Sequence, residues 1–160
     1  VVVGLDRHKR DAAAVATRHD APVYVPQWMS GVADALDAPV ERFGGELADS
    51  GFEAVRIRDS GIPPWQEVGL YHPEDGTLLV PEAVGTAAYF RAPGEPLGVH
   101  PMLRPVPPRR ELSRFDPERV LVGHGAGVDT DAAAALDDAL DNARSNLPGA
   151  YGQALKQLLS

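Results

Sequence analysis

Val120-Leu121-Val122-Gly123-His124-Gly125 constrains the fold of this chain more than any other stretch. Three β-formers run directly into a histidine between two glycines. A strand ending this way sets an imidazole at a sheet edge with little side-chain bulk beside it, so something outside the local backbone can approach the ring closely. Similar runs occur at Val1-Val2-Val3-Gly4 and at Leu78-Leu79-Val80-Pro81.

Between these runs the pattern reads as alternating elements. Residues 1–3 form a strand, residues 11–19 an alanine-rich helix with Asp11 at its N-terminus, and residues 22–26 a second strand closed by proline. Strand, helix, strand predicts an α/β layer with a parallel pair. A small helix follows over 28–36, weakened by Gly31, then a strand over 39–43. Period-two alternation marks 53–58 as a strand, and the Pro- and Gly-bearing 59–64 as a loop. Strands over 67–71 and 77–80 flank His72-Pro73-Glu74-Asp75-Gly76, which has the proline and Asp-Gly chemistry of a hairpin turn. Residues 92–117, rich in Pro and Arg, read as a long ordered loop anchored by Val99, Met102, Leu103 and Val106. After the strand at 120–122, Asp129 or Thr130 caps a helix reaching about Arg144. Pro148 opens a last amphipathic helix that turns Leu155, Leu158 and Leu159 to the core.

A chain of 160 residues with 44% apolar content predicts one domain, residues 1–160, with a core of its own. No apolar run is long enough to span a membrane, and no signal segment opens the chain. With no cysteine there are neither disulfides nor thiolate metal sites, and a cytoplasmic location is expected. Net charge is −8, from 23 acidic and 15 basic residues, and only Lys9 and Lys156 are lysines. That balance suits a salt-adapted, halophilic cytoplasm or a GC-rich genome, and predicts no nucleic-acid partner. Arg104, Arg109, Arg110 and Arg114 form the one basic cluster. The strand-like start without an initiator Met leads us to expect a fragment whose N-terminal strands are missing.

Three places can share a site, each at the C-terminal end of a predicted strand, where α/β folds bind ligands. They are the turn Asp6-Arg7-His8-Lys9-Arg10-Asp11, Glu82 and His124. Two imidazoles and a carboxylate suit zinc or another divalent ion. The other histidines are expected elsewhere: His19 and His72 at the surface, and His100 in the Pro-rich loop as a further candidate for facing the site. Trp28 and Trp65 are expected to anchor core or loops. Neither a Ser-His-Asp arrangement nor a phosphate-binding glycine loop can be read from the spacing.

The order of these motifs resembles the metallo-β-lactamase fold, from that family's first metal motif onward. The resemblance implies an α/β protein with αββα layers, one or two metal ions, usually zinc, and water activated for hydrolysis. The family's first motif, His-x-His-x-Asp-His, lies on this chain in two registers. Spacing alone matches Asp6, His8, Arg10 and Asp11; the helix length before the Ala-Pro-Val strand matches Val3, Leu5, Arg7 and His8. The second has the better anchor. Either way His8 is the only imidazole left, and an arginine stands where the family has aspartate, which disfavours a second ion electrostatically. The family's middle histidine would fall within 59–67, which has none. The bridging aspartate corresponds to Glu82 and the last histidine to His124.

The resemblance therefore implies His8, Glu82 and His124 as the remaining ligands of a reduced, mononuclear or lost metal site. Three readings stay open: a metal-dependent hydrolase acting on a small-molecule substrate, a non-catalytic binding or scaffold protein that has lost the metals, or an anion-binding module. In the third, Arg7 or Arg10 stands where a metal once sat and holds an anion.

Overall fold

Most of the β-former runs become strands in a computed structural model that describes residues 1–158, with side chains through residue 152. The chain divides into two units, Val1–Leu70 and a second beginning at Tyr71.

In the first unit the strand expected over residues 1–3 shrinks to one parallel bridge, Val2 to Tyr24. Two main-chain bonds hold it, Val3 N to Tyr24 O at 3.0 Å and Tyr24 N to Val1 O at 2.7 Å. Helix α1 (Ala12–Arg18) buries Ala12 and Ala16. Asp11 stands at its N-cap but makes no side-chain cap bond, because its backbone (φ −102°, ψ 0°) lies outside the extended region from which a cap reaches back. Strand β1 (Val23–Pro26), the short helix α2 (Ser30–Ala33) and β2 (Val40–Phe43) follow. β1 and β2 are parallel, in register from Val23 opposite Val40 to Pro26 opposite Phe43. The parallel pair expected of 1–3 with 22–26 survives as the single Val2–Tyr24 bridge, the extended parallel pair is β1 with β2, and α2 is shorter than 28–36.

Residues 59–64 correct the loop expected there. Strand β3 (Glu53–Gly61) runs on through Asp59 and Ser60, and its neighbour β4 (Pro64–His72) starts at the second proline. Only Ile62 and Pro63 are left to turn. A proline at the first position of a strand needs no N–H for the ladder, which is why Pro64 does not end the sheet. Ser60 Oγ donates to Pro63 O at 2.8 Å and closes the turn. The alternation of β3 buries Val55 and Ile57, and with Leu5, Val23, Val25, Met29, Trp65 and Val68 they form this unit's core.

In the second unit the turn at 72–76 uses the chemistry its sequence promised. Gly76 takes φ 64°, and Asp75 Oδ1 accepts from Thr77 N at 3.0 Å. A hydrogen bond from the Thr77 side chain, helped by this amide bond, outweighs burial and holds the Asp75 carboxyl below its usual range. Strand β5 (Thr77–Val80) is followed by the two-residue strands β6 (Val84–Gly85) and β7 (Gly98–Val99), which pair antiparallel. A helical turn, α3 (Arg109–Leu112), leads to β8 (Arg119–Val122), parallel to β5 from Thr77 opposite Arg119 to Val80 opposite Val122. The stretch 92–117 is therefore not a plain loop, since it contains β7 and α3. Its anchors are Val99 and Leu103, whereas Met102 and Val106 are exposed (54% and 60%). Arg104 is fully buried as well, which removes it from any surface basic patch.

Helix α4 (Ala132–Asp141) buries Ala132, Ala135, Leu136, Ala139 and Leu140, one stripe at helical spacing. It starts later than Asp129 or Thr130 and ends before Arg144. Its N-cap is Asp131, in the left-handed region at φ 52° and without a side-chain cap bond. Helix α5 (Leu147–Leu158) carries Pro148 in its first turn, as expected. The side chains of Leu155, Leu158 and Leu159 lie outside the described residues. Among the described residues no helix is long and apolar enough to cross a membrane.

Candidate functional site

Parallel pairing of β5 with β8 sets their C-terminal ends side by side, so Pro81-Glu82 and Gly123-His124 leave the sheet together. The glycines explain how closely. A Cβ on Gly123 would overlap the carbonyl oxygen of Pro81, and one on Gly125, at φ 108°, would overlap Oγ1 of Thr86 and crowd the amide of Ala87. What approaches this turn is thus the protein's own backbone, where the sequence had suggested room for something from outside. The two turns are stitched by main-chain bonds. Thr86 N and Ala87 N both donate to His124 O, at 2.9 and 3.0 Å, and Gly127 N donates to Thr86 Oγ1 at 3.2 Å.

On this frame His124 Nε2 lies 2.7 Å from Glu82 Oε2. The Glu82 side chain is 11% exposed and that of His124 is 35%. The second oxygen, Oε1, faces His100 Nε2 at 3.4 Å. His100 reaches this position because its amide donates to Ala83 O at 2.9 Å, continuing the β6–β7 pairing by one residue. Phe90, fully buried, stacks on His124 (centroids 5.6 Å, planes 30° apart) and meets His100 edge-on at 5.3 Å. Tyr89 meets His124 edge-on at 5.9 Å. Its phenol is pushed above the usual tyrosine range, first by burial and then by the negative charge of Glu82. The cluster in the second unit is thus one buried carboxylate between two imidazoles, with an aromatic wall.

Of the sequence-derived site residues, Glu82 and His124 come together within one unit. His8 lies in the first unit, exposed on the turn before α1, where its amide donates to Leu5 O at 3.0 Å. Arg7 lies over the Trp65 ring, 4.3 Å from its centroid, and Arg10 pairs with Asp11 at 3.7 Å on the surface. Where the family's middle histidine would fall, Trp65 Nε1 donates to Glu67 Oε2 at 2.7 Å, both residues buried. His19 is exposed as expected, while His72 is half-buried and faces Asp75 Oδ1 at 3.3 Å. Sequence reasoning undervalued His100 and passed over Phe90 and Tyr89. The only available signal was their position between Glu82 and His124, with no periodicity to mark it.

Carboxylate and imidazole donors converging on one point are the ligand types a divalent ion takes, and the Glu82–His124 pair fits such an ion. No family model matches the chain, and no curated protein matches it. Solved structures do. A DIM-1 metallo-β-lactamase superposes with a TM-score of 0.54 at 15% identity, covering 92% of this chain and 66% of its own. TMB-1 superposes with a TM-score of 0.55 at 12% identity, covering 94% of this chain and 67% of its own. The chain thus spans about two thirds of the length of these structures. At such identity the likeness is one of architecture, and it agrees with the strand-end placement of Glu82 and His124: the chain has a metallo-β-lactamase fold.

Proposed function

We propose that this chain carries a reduced, mononuclear metal site of the metallo-β-lactamase kind, in αββα layers, and hydrolyses a small-molecule ester, thioester, amide or phosphoester. The observation that carries the reading is the pairing of Glu82 with His124 at the ends of two parallel strands. Glu82 and His124 would hold the ion, and His8 is proposed as the third donor because it is the imidazole left in the first family motif. A bound divalent ion supplies Lewis acidity and an activated water. The chain's own contribution is orientation. Glu82 and His124 are fixed by their strand ends, Phe90 holds the His124 ring plane, and Tyr89 keeps its hydroxyl proton at neutral pH. One site with one ion is the expected stoichiometry, since an arginine occupies the family's aspartate position in either register.

A second reading, a non-catalytic binding or scaffold protein, draws on a specific observation: each oxygen of Glu82 already faces an imidazole. An arginine-held anion has less support, because the Arg7 guanidinium lies on Trp65.

Metal analysis separates the readings. After purification from medium supplemented with zinc, manganese and iron, we expect stoichiometric metal in the wild type. We expect none in His124→Ala, and a reduced content in His8→Ala. A wild-type chain without stoichiometric metal overturns the hydrolase reading, and unchanged content in His8→Ala removes His8 from the ligand set.

A further inference from the structure

His100 is absent from the ligand set above, yet its surroundings fix its chemistry closely. The ring is only 16% exposed. Its Nδ1 accepts the amide N–H of Met102 at 3.2 Å. A ring nitrogen that accepts a hydrogen bond offers its lone pair and carries no proton, so the neutral ring bears its proton on Nε2. That nitrogen faces Glu82 Oε1 at 3.4 Å. An Nε2–H nitrogen has no lone pair to give an ion, so in this arrangement His100 is a donor toward the carboxylate and not a ligand.

We infer that His100 is a positioning residue for Glu82: held in the Nε2–H form by the Met102 amide, it faces Oε1 at 3.4 Å, within ion-pair reach, while Oε2 is the oxygen presented to His124 and to a bound ion. Two further features make the arrangement rigid. The main chain of His100 is tied to Ala83, the residue after Glu82, so donor and acceptor are carried by paired backbones. Phe90 contacts both imidazoles, which fixes the separation of the two groups flanking the carboxylate. Carboxylates that ligate metals are commonly oriented by such partners, whose loss lowers metal affinity by about 10–100-fold.

The role toward an ion rests on the hydrolase reading above, whereas the tautomer and the hold on Glu82 do not, and the experiment separates them. In metal-free protein, imidazole nitrogen shifts from long-range proton–nitrogen spectra are recorded, with the His100 resonances assigned by their absence from His100→Gln. We expect the Nε2–H pattern for His100; an Nδ1–H pattern overturns the inference. The His124 ring resonances are followed in His100→Ala and in His100→Gln, which keeps an N–H donor. Displacement in the first and return toward wild type in the second support the hold on Glu82, and no displacement in either overturns it.

In zinc-competent protein, affinity is read by chelator competition and the ligand field by cobalt substitution. His100→Ala is expected to weaken zinc about 10–100-fold with the coordination number kept, and Gln is expected to recover most of the loss. Complete loss of binding in His100→Ala with the fold intact by circular dichroism makes His100 a ligand and overturns the inference, as does unchanged affinity. A wild-type chain that takes up no zinc sinks the hydrolase reading alone; the tautomer and the His124 shifts then decide the role of His100.

Discussion

Arg104→Met is expected to destabilise the chain by about 3–5 kcal/mol, the usual cost of stripping one partner from a buried ion pair. Arg104 lies in the stretch richest in proline and arginine, yet none of its surface meets solvent. Its Nη1 donates to Glu95 Oε1 at 3.1 Å and to Ala143 O at 3.3 Å, and its Nη2 donates to Phe90 O at 2.7 Å and to Glu95 Oε2. Glu95 also accepts from Ala92 N at 2.7 Å and from Asn146 Nδ2 at 2.8 Å. Methionine fills much of the volume but leaves a desolvated carboxylate without its countercharge, held by Ala92 and Asn146 alone, and strips the Arg104 donors from two main-chain carbonyls, each at its own penalty.

Burial alone would raise the Glu95 carboxyl. The hydrogen bonds from Arg104, Ala92 and Asn146, with the charge of Arg104, outweigh that and hold it below its usual range. A carboxylate with a depressed folded value contributes stability that is present above the unfolded value, about 4.3, and lost as pH falls through the folded value. Glu95→Gln should therefore be less stable than wild type at pH 7, with the difference closing below about pH 4. Urea titrations at several pH values measure both effects, and a double-mutant cycle isolates the pair. A loss under about 1 kcal/mol for Arg104→Met would contradict the reading of a buried, hydrogen-bonded ion pair.

Gly123→Ala should cost about 3 kcal/mol, at the upper end of the usual range for overpacking. The added methyl would overlap the Pro81 carbonyl oxygen, an atom of the neighbouring backbone that cannot swing aside as a flexible side chain would. Relief requires the ends of β5 and β8 to part, which separates Glu82 from His124. Thermal unfolding should shift by several degrees, about 2–4 °C per kcal/mol for a chain of this size, and the His124 ring resonances should move. Gly31→Ala is the control. A Cβ there meets nothing within 4 Å, and the position is helical, so its stability should stay within about 1 kcal/mol of wild type, on the stabilising side. If both variants unfold alike, close strand contact is not what the glycine serves.

The pairing of Glu82 with His124 is legible in the order of residues, because two apolar runs, each followed by a polar residue, pair as parallel strands and deliver those residues to one edge. The parallel β1–β2 pair is not, since β2 buries only Phe43 and shows no alternation, while the extent of α1 is legible from Ala12 and Ala16 at helical spacing. His100 is not. Its approach to Glu82 depends on a two-residue strand pair, β6 with β7, too short to impose any alternation on the sequence. Arg104 misleads more sharply, since an arginine among prolines reads as solvated until its acceptors, Glu95, Phe90 O and Ala143 O, are brought to it from elsewhere in the chain. The hairpin at Ile62-Pro63 is hidden because two prolines and a glycine signal a loop, whereas Pro64 stands where a strand needs no donor.

The bonds that stitch the two turns together, Thr86 N and Ala87 N to His124 O and Gly127 N to Thr86 Oγ1, use no side-chain atom of Glu82 or His124. The socket is thus wired independently of its pins. Whatever residue is encoded at position 82 or 124 inherits the same spacing, so single codon changes can rewrite the donor set while the frame stands. That independence lets one scaffold drift between chemistries without refolding, and it makes these two positions natural places to graft a different pair of ligands.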